Sequence, residues 1–218
     1  MESLFPDELL AEIGRCRVIA VLILDDVRAA VPVARALVKG GVTIMELTLR
    51  TPAALDCLKA VRDAVPEMTA GVGTILKAEQ VQAVQDAGAA FGVSPGVNPA
   101  VILEANERGL PFAPGVLTPT DVDTAVELGC RELKFFPAEP GGGRRMFAAV
   151  KAPYAHLGLR YIPLGGINAD NMAVWLSDPD IPAIGGSWLV TRGDLESCDW
   201  EAITRRAAAA REIVDSLT

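Results

Sequence analysis

Arg17-Val18-Ile19-Ala20-Val21-Leu22-Ile23-Leu24 is a near-continuous apolar run, and Asp25-Asp26 follows it at once. A run of this length without polar alternation marks a strand covered on both faces, as in a parallel sheet flanked by helices. From Asp25-Asp26 the pattern turns helical, with Ala29, Val33, Ala36 and Leu37 on one side, and it stops at Gly40-Gly41, a C-terminal helix signal. The same strand-then-helix unit recurs along the chain. Further strands are expected over 43–49, 69–75, 91–95, 111–116, 132–137, 160–164 and 183–190, each followed by a helix: 52–65, 77–87, 99–108, 119–128, 143–150, 169–176 and 200–217. A short helix over 4–14 precedes the first strand. Eight such units, with no linker or low-complexity segment between them, require parallel strands with helical crossovers. They suit an α/β fold of the compact (β/α)8 TIM-barrel type, one domain over residues 1–218. An open doubly wound sheet is the alternative, but its G-x-G-x-x-G turn after the first strand is absent.

Composition narrows the partners. Half of the 218 residues are hydrophobic and the net charge is −8, with no basic stripe to neutralise phosphates, which argues against nucleic acid. No stretch approaches the ~20 apolar residues of a membrane span. The acidic start, Met1-Glu2-Ser3-Leu4-Phe5-Pro6-Asp7-Glu8, lacks the features of a signal peptide, so a cytoplasmic protein is expected. Cys16, Cys57, Cys130 and Cys198 lie far apart and read as free thiols without a structural metal. The single histidine, His156, reads as a surface residue in a loop.

In a barrel of this kind chemistry gathers at the C-terminal ends of the strands. Glu132-Leu133-Lys134-Phe135-Phe136-Pro137 places one lysine in an otherwise apolar strand. Lys134 either faces out and lays its methylenes on the surface, or it is a desolvated amine, a nucleophile toward carbonyls. In Met45-Glu46-Leu47-Thr48-Leu49-Arg50 the period of two sends Glu46, Thr48 and Arg50 to one side, expected to be the barrel interior. They would serve chemistry there, or Glu46 and Arg50 would merely pair with each other. Gly165-Gly166 and Gly185-Gly186-Ser187, at the seventh and eighth strands, fit the phosphate cup that such barrels build from bared backbone amides. Gly96 and Gly115 read as turn chemistry. A lysine, a carboxylate, an arginine and a phosphate cup at one mouth imply a phosphorylated 2-keto acid and a reaction at a carbon–carbon bond beside the ketone.

These residues resemble the 2-keto-3-deoxy-6-phosphogluconate (KDPG) aldolase and 4-hydroxy-2-oxoglutarate (KHG) aldolase family. The resemblance runs from about 17 to 190 through Glu46-x-Thr48-x-Arg50, Gly71-x-Gly73-Thr74, Ser94-Pro95-Gly96, Lys134-Phe-Phe136-Pro-Ala138-Glu139, Gly165-Gly166-Ile167 and Gly185-Gly186-Ser187-Trp188. It implies a class I aldolase in which Lys134 forms the Schiff base and Glu46 is the general acid/base. Arg50 and Thr74 would bind the substrate carboxylate, Pro95 and Phe136 would line the pyruvyl pocket, and Gly165, Gly166, Gly186 and Ser187 would hold the phosphate. It further implies a homotrimer, with no metal and no organic cofactor. Leu164 departs from the family: members acting on the gluconate substrate generally carry threonine there, whereas those acting on its galactonate epimer tend to be apolar. Three other readings remain at this stage: an aldolase of the galactonate epimer or of KHG, a metal-dependent lyase or phosphosugar isomerase on the same barrel, and a non-catalytic phosphosugar-binding barrel.

Overall fold

The computed structural model describes residues 3–217. Met1, Glu2 and Thr218, the outermost positions of the 1–218 span, lie outside the described residues.

Among the described residues, nine short strands form the sheet: β1 (Val18–Leu22), β2 (Ile44–Thr48), β3 (Thr69–Gly73), β4 (Gly92–Val93), β5 (Phe112–Ala113), β6 (Gly115–Val116), β7 (Glu132–Phe135), β8 (Arg160–Pro163) and β9 (Ile184–Gly186). All pair in parallel, in the orders β5-β4-β3-β2-β1-β9 and β6-β7-β8. The two runs join at both ends. β5 and β6 are one strand interrupted at Pro114, which has no N–H to give to a ladder, and a parallel bridge from Leu164 to Gly185 connects the end of β8 to β9. The sheet therefore curls into the expected barrel of eight strand positions.

Every crossover is helical: α2 (Val27–Lys39), α3 (Ala54–Ala64), α4 (Glu79–Asp86), α5 (Pro99–Arg108), α6 (Pro119–Glu127), α7 (Gly143–Lys151), α8 (Met172–Leu176), α9 (Arg192–Ser197) and α10 (Trp200–Asp215). Local chemistry explains their bounds. Asn98 accepts from the Ala100 amide at 3.1 Å before Pro99 opens α5, and Gly109 closes that helix at φ +68°. Thr118 and Asp121 exchange capping bonds at the start of α6, and Thr191 and Asp194 do so for α9. α9 is a helix that the apolar pattern did not announce. A six-residue 3-10 helix, Ala152–Leu157, stands where a loop was expected, and it leaves His156 exposed.

The helix expected ahead of β1 is α1 (Asp7–Cys16). Its buried face, Leu9, Ile13 and Cys16, joins Phe5 in closing the N-terminal end of the barrel. Ser3 Oγ ties this segment to the sheet by donating to the buried Glu132 carboxylate at 2.6 Å, and the same carboxylate pairs with Arg160. Among the described residues no helix is long and apolar enough to cross a membrane.

A charged clasp holds the outer layer near β8. Lys151, the last residue of α7, donates to Asp178 at 2.5 Å and to Asp180 at 2.7 Å, and Arg144 reaches Asp178 at 3.2 Å. Burial raises the Asp178 carboxyl, but the Lys151 hydrogen bond and charge outweigh it and hold the group below its ordinary value. Because the folded value lies below the unfolded one of about 3.9, this contribution is complete above that pH and is lost as pH falls through the folded value. Asp178→Asn is expected to cost about 1–2 kcal/mol at pH 7 and progressively less at a pH well below about 3.9. Urea titrations of both proteins at the two pH values check this; an equal loss at both would rule out the ionic origin.

Candidate active site

β2 and β7 stand on opposite walls of the barrel, four strand positions apart in either direction around the ring. Each sends one long polar side chain to the axis. Lys134 Nζ donates to Glu46 Oε1 at 3.1 Å and lies 3.4 Å from Oε2, joining residues 88 positions apart. Lys134 is 6 % exposed and Glu46 2 %. The alternative of an outward lysine lying on the surface is therefore overturned. An ammonium taken out of water alone would cost several kcal/mol, and the carboxylate facing it supplies the counter-charge.

The neighbouring strand makes room for this pair. A Cβ added to Gly73, in β3, would fall 1.7 Å from Glu46 Oε1, so glycine here answers to a close approach and not to a turn. Phe5 and Ile13 lie below the pair, and Phe91, Val93, Ile162 and Leu164 surround it, leaving a residual space of only about 10 Å³. A much larger cleft, about 1020 Å³, opens beside the mouth between β1 and β9, lined among others by Val21, Arg28, Ser187, Trp188, Arg192 and Trp200. The candidate site is the buried pair and not the larger volume, because at the pair an amine and a carboxylate meet away from water.

Arg50 does not share the interior with Glu46. β2 ends at Thr48, the Arg50 amide bonds back to the Thr48 carbonyl at 2.7 Å, and this turn carries the side chain out to the exposed rim. The period-two expectation fails at Arg50 because the strand has stopped, and the internal Glu46–Arg50 ion pair does not form. Thr48 is buried and donates to the Leu22 carbonyl at 3.0 Å.

The other expected residues surround the mouth. Thr74 follows β3 with φ +62°, a left-handed backbone that costs a β-branched residue about 1–3 kcal/mol and is found mainly at functional sites. The Phe136 ring centroid lies 5.4 Å from Lys134 Nζ. Pro95 is half-buried beyond β4, and its carbonyl presses on Gly115, where a Cβ would meet it at 2.2 Å; Gly115 therefore does more than turn the chain. Gly96 accepts the Ser94 hydroxyl at 2.7 Å in the turn expected of it.

Gly165 and Gly166 take φ +95° and +80°, which bends the chain directly after β8. Gly186 closes β9, and a Cβ there would lie 1.9 Å from the Trp188 ring. The last strand is shorter than expected, ending at Gly186, so Ser187 stands exposed in the loop. The glycine bend and the β9 end thus lie next to each other at the mouth, joined by the Leu164–Gly185 bridge.

Several contacts behind the bend were invisible to motif reading. Trp175 Nε1 donates to Glu139 Oε1 at 2.6 Å, and Asn171 Nδ2 donates to the Gly166 carbonyl at 3.0 Å. The only hint was an asparagine at the third and sixth positions after Gly165. Cys57 and Cys130 offer no competing nucleophile near neutral pH: burial pushes the Cys57 thiol up to about 11 and the Cys130 thiol up to about 12. Among the described residues no group of three or more His, Cys, Asp and Glu side chains is arranged to hold a metal ion.

Comparison with known proteins agrees with this arrangement. The family model described as KDPG and KHG aldolase matches residues 10–206. The 2-dehydro-3-deoxy-phosphogluconate aldolase of Treponema pallidum is 40% identical over 200 residues, covering 92% of this chain and 94% of that protein. The KHG/KDPG aldolase of Escherichia coli K12 is 39% identical over 195 residues, covering 89% of this chain and 91% of that protein. The crystal structure of KDPG aldolase from Legionella pneumophila, with pyruvate captured as a covalent carbinolamine intermediate, superposes with a TM-score of 0.87 at 31% identity, covering 92% of this chain and 97% of that one. A fold, a buried lysine–glutamate pair and matches over nine-tenths of the sequence lead to one conclusion: the chain belongs to the KDPG and KHG aldolase family.

Proposed function

We propose that this chain, acting as one (β/α)8 domain, is a class I aldolase that cleaves 2-keto-3-deoxy-6-phosphogluconate to pyruvate and glyceraldehyde 3-phosphate. The observation that carries this reading is the 3.1 Å contact between Lys134 Nζ and Glu46 Oε1 inside the barrel. A nucleophilic amine must first lose a proton, and Glu46 is within reach to take it. The freed Nζ adds to the C2 ketone, and Glu46 returns the proton to the carbinolamine oxygen, which leaves as water. The resulting protonated imine accepts the electron pair of the C3–C4 bond as the C4 hydroxyl loses its proton, releasing the aldehyde. The enamine left behind takes a proton at C3, and hydrolysis of the imine frees pyruvate and the lysine. In this reading Arg50 and Thr74 receive the carboxylate at the rim, Pro95 and Phe136 bound the pyruvyl group, and Gly165, Gly166, Gly186 and Ser187 hold the phosphate. The reaction calls on no metal or organic cofactor. The buried carboxylate facing Lys134 also speaks against a binding-only barrel, since ligand capture alone would not need it.

Leu164 favours a second reading within the same chemistry. It is 5 % exposed and lines the interior beside Lys134, and its side chain packs where a Cβ on Gly185 would meet it at 2.7 Å. An apolar wall at that place offers no hydrogen bond to a substrate hydroxyl, so turnover of the galactonate epimer or of KHG belongs among the activities to assay. We further read the protein as a cytoplasmic homotrimer. Supporting an oligomer is the 28% identity to a chain from a cube-shaped cage designed by fusing symmetric oligomeric domains, of which this chain covers 73%.

Incubation with pyruvate and sodium borohydride, followed by intact-mass measurement, is expected to add one reduced pyruvyl group to the protein and none to Lys134→Ala; absence of the adduct on folded protein would falsify the imine mechanism. Glu46→Gln is expected to keep the fold and lose roughly 10²–10⁴ in turnover. Gly73→Ala, by driving a methyl into the Glu46 carboxylate, is expected to lower turnover by about 10²-fold while still melting cooperatively. Should steady-state rates of that variant match the parent, the room left by Gly73 would have no bearing on the chemistry.

A further inference from the structure

The residues named for the phosphate include no lysine or arginine. A site made from backbone amides and one hydroxyl depends on how its peptide planes are turned, because each peptide presents either its N–H or its carbonyl to the ligand. Something must hold those planes.

The contacts are behind the glycine bend. The Glu139 amide donates to the Gly165 carbonyl at 3.0 Å, and Asn171 Nδ2 donates to the Gly166 carbonyl at 3.0 Å. Asn171 also works in the other direction: its Oδ1 accepts from the Asn168 amide at 2.9 Å. One side chain thus ties together both ends of the Gly166–Asn168 segment. Asn168 Oδ1 in turn accepts from the Asp170 amide at 2.8 Å, and its carbonyl accepts from Met172 at 3.0 Å, which fixes the clamp to the start of α8. Gly166 itself, at φ +80°, has no side chain to restrict it, and a Cβ there would strike Glu139 Cβ at 2.6 Å. Its conformation must therefore be imposed by neighbours.

We infer that Asn171 is a positioning residue for phosphate recognition: by holding the Gly166 carbonyl on its own amide, it keeps that carbonyl out of the cup and the adjoining N–H groups turned toward the ligand. Without that bond the peptide is free to rotate and present an oxygen to a phosphate dianion, which is repulsive. The effect is selective. Lys134 and Glu46 lie on β7 and β2 and bond to each other, whereas the Asn171 side chain bonds to Asn168 and Gly166, so imine formation with pyruvate proceeds as before. The inference rests on the proposed aldolase reading and on the assignment of the phosphate to this bend.

The test compares Asn171→Ala and Asn171→Asp with the parent. Asn171→Asp keeps the acceptor for the Asn168 amide but removes the donor to Gly166. Two quantities are read: kcat and KM for 2-keto-3-deoxy-6-phosphogluconate, and the rate of pyruvate trapping by borohydride. Both variants are expected to raise KM by roughly tenfold or more, with kcat and the pyruvate-trapping rate little changed. Rescue of KM by Asn171→Asp would overturn the inference, since it would give Asn171 only a loop-folding role. So would an unchanged KM in Asn171→Ala, or a parallel fall in trapping rate and affinity. A parent protein that traps pyruvate but does not turn over the phosphorylated substrate would reject the phosphate assignment and the inference with it. A parent that traps nothing would reject the aldolase reading itself.

Discussion

The ion pair between Lys134 and Glu46 is the interaction on which the rest of the molecule depends. Neither charge is tolerable alone at 6 % and 2 % exposure, and the contact is short enough for a proton to pass between them. Bringing them together requires a closed barrel, because their strands face each other across its axis. It also requires a gap in the third strand, left by Gly73, and a sealed N-terminal end, supplied by Phe5 and α1. Several features that look like fold maintenance are thus conditions for one pair of side chains.

The mouth is built on a different principle. Around the pair, the groups proposed for recognition are a strained Thr74, glycine peptides in left-handed conformations, and an exposed rim arginine released from the strand by a tight turn. In the proposed reading, burial and charge set the reactivity at the axis, while backbone orientation sets what can be held above it. The two regions are joined through β8, where Leu164 packs beside Lys134 and the next two residues form the glycine bend. A change at Leu164 would therefore be felt in both, through the shape of the interior and through the course of the bend.

The strand–helix order was legible because each element carries its own signals. Pro99 to Gly109 shows this well: asparagine cap, proline start, apolar face and glycine stop all act within one helix, and α5 occupies the expected residues. The shortest elements were the hardest to delimit. α8 begins at Met172 and not at Ala169, because Asn168 and Asn171 shape the connection with side-chain bonds before the helix starts. α9 has six residues and owes its start to a Thr191–Asp194 capping box, so no apolar period was long enough to reveal it.

For the site, the sequence by itself determined which residue types were available and at which strand ends. Lys134, Glu46 and the two glycine pairs are evident because each interrupts a pattern that local packing would otherwise keep. Only the tertiary structure decided who meets whom. Arg50, four residues from Glu46, ends at the rim, whereas Lys134, 88 residues away, becomes its partner. The reason is physical. Side-chain direction alternates only while a strand lasts, and contacts across a barrel depend on closure and register, which no local run of residues contains.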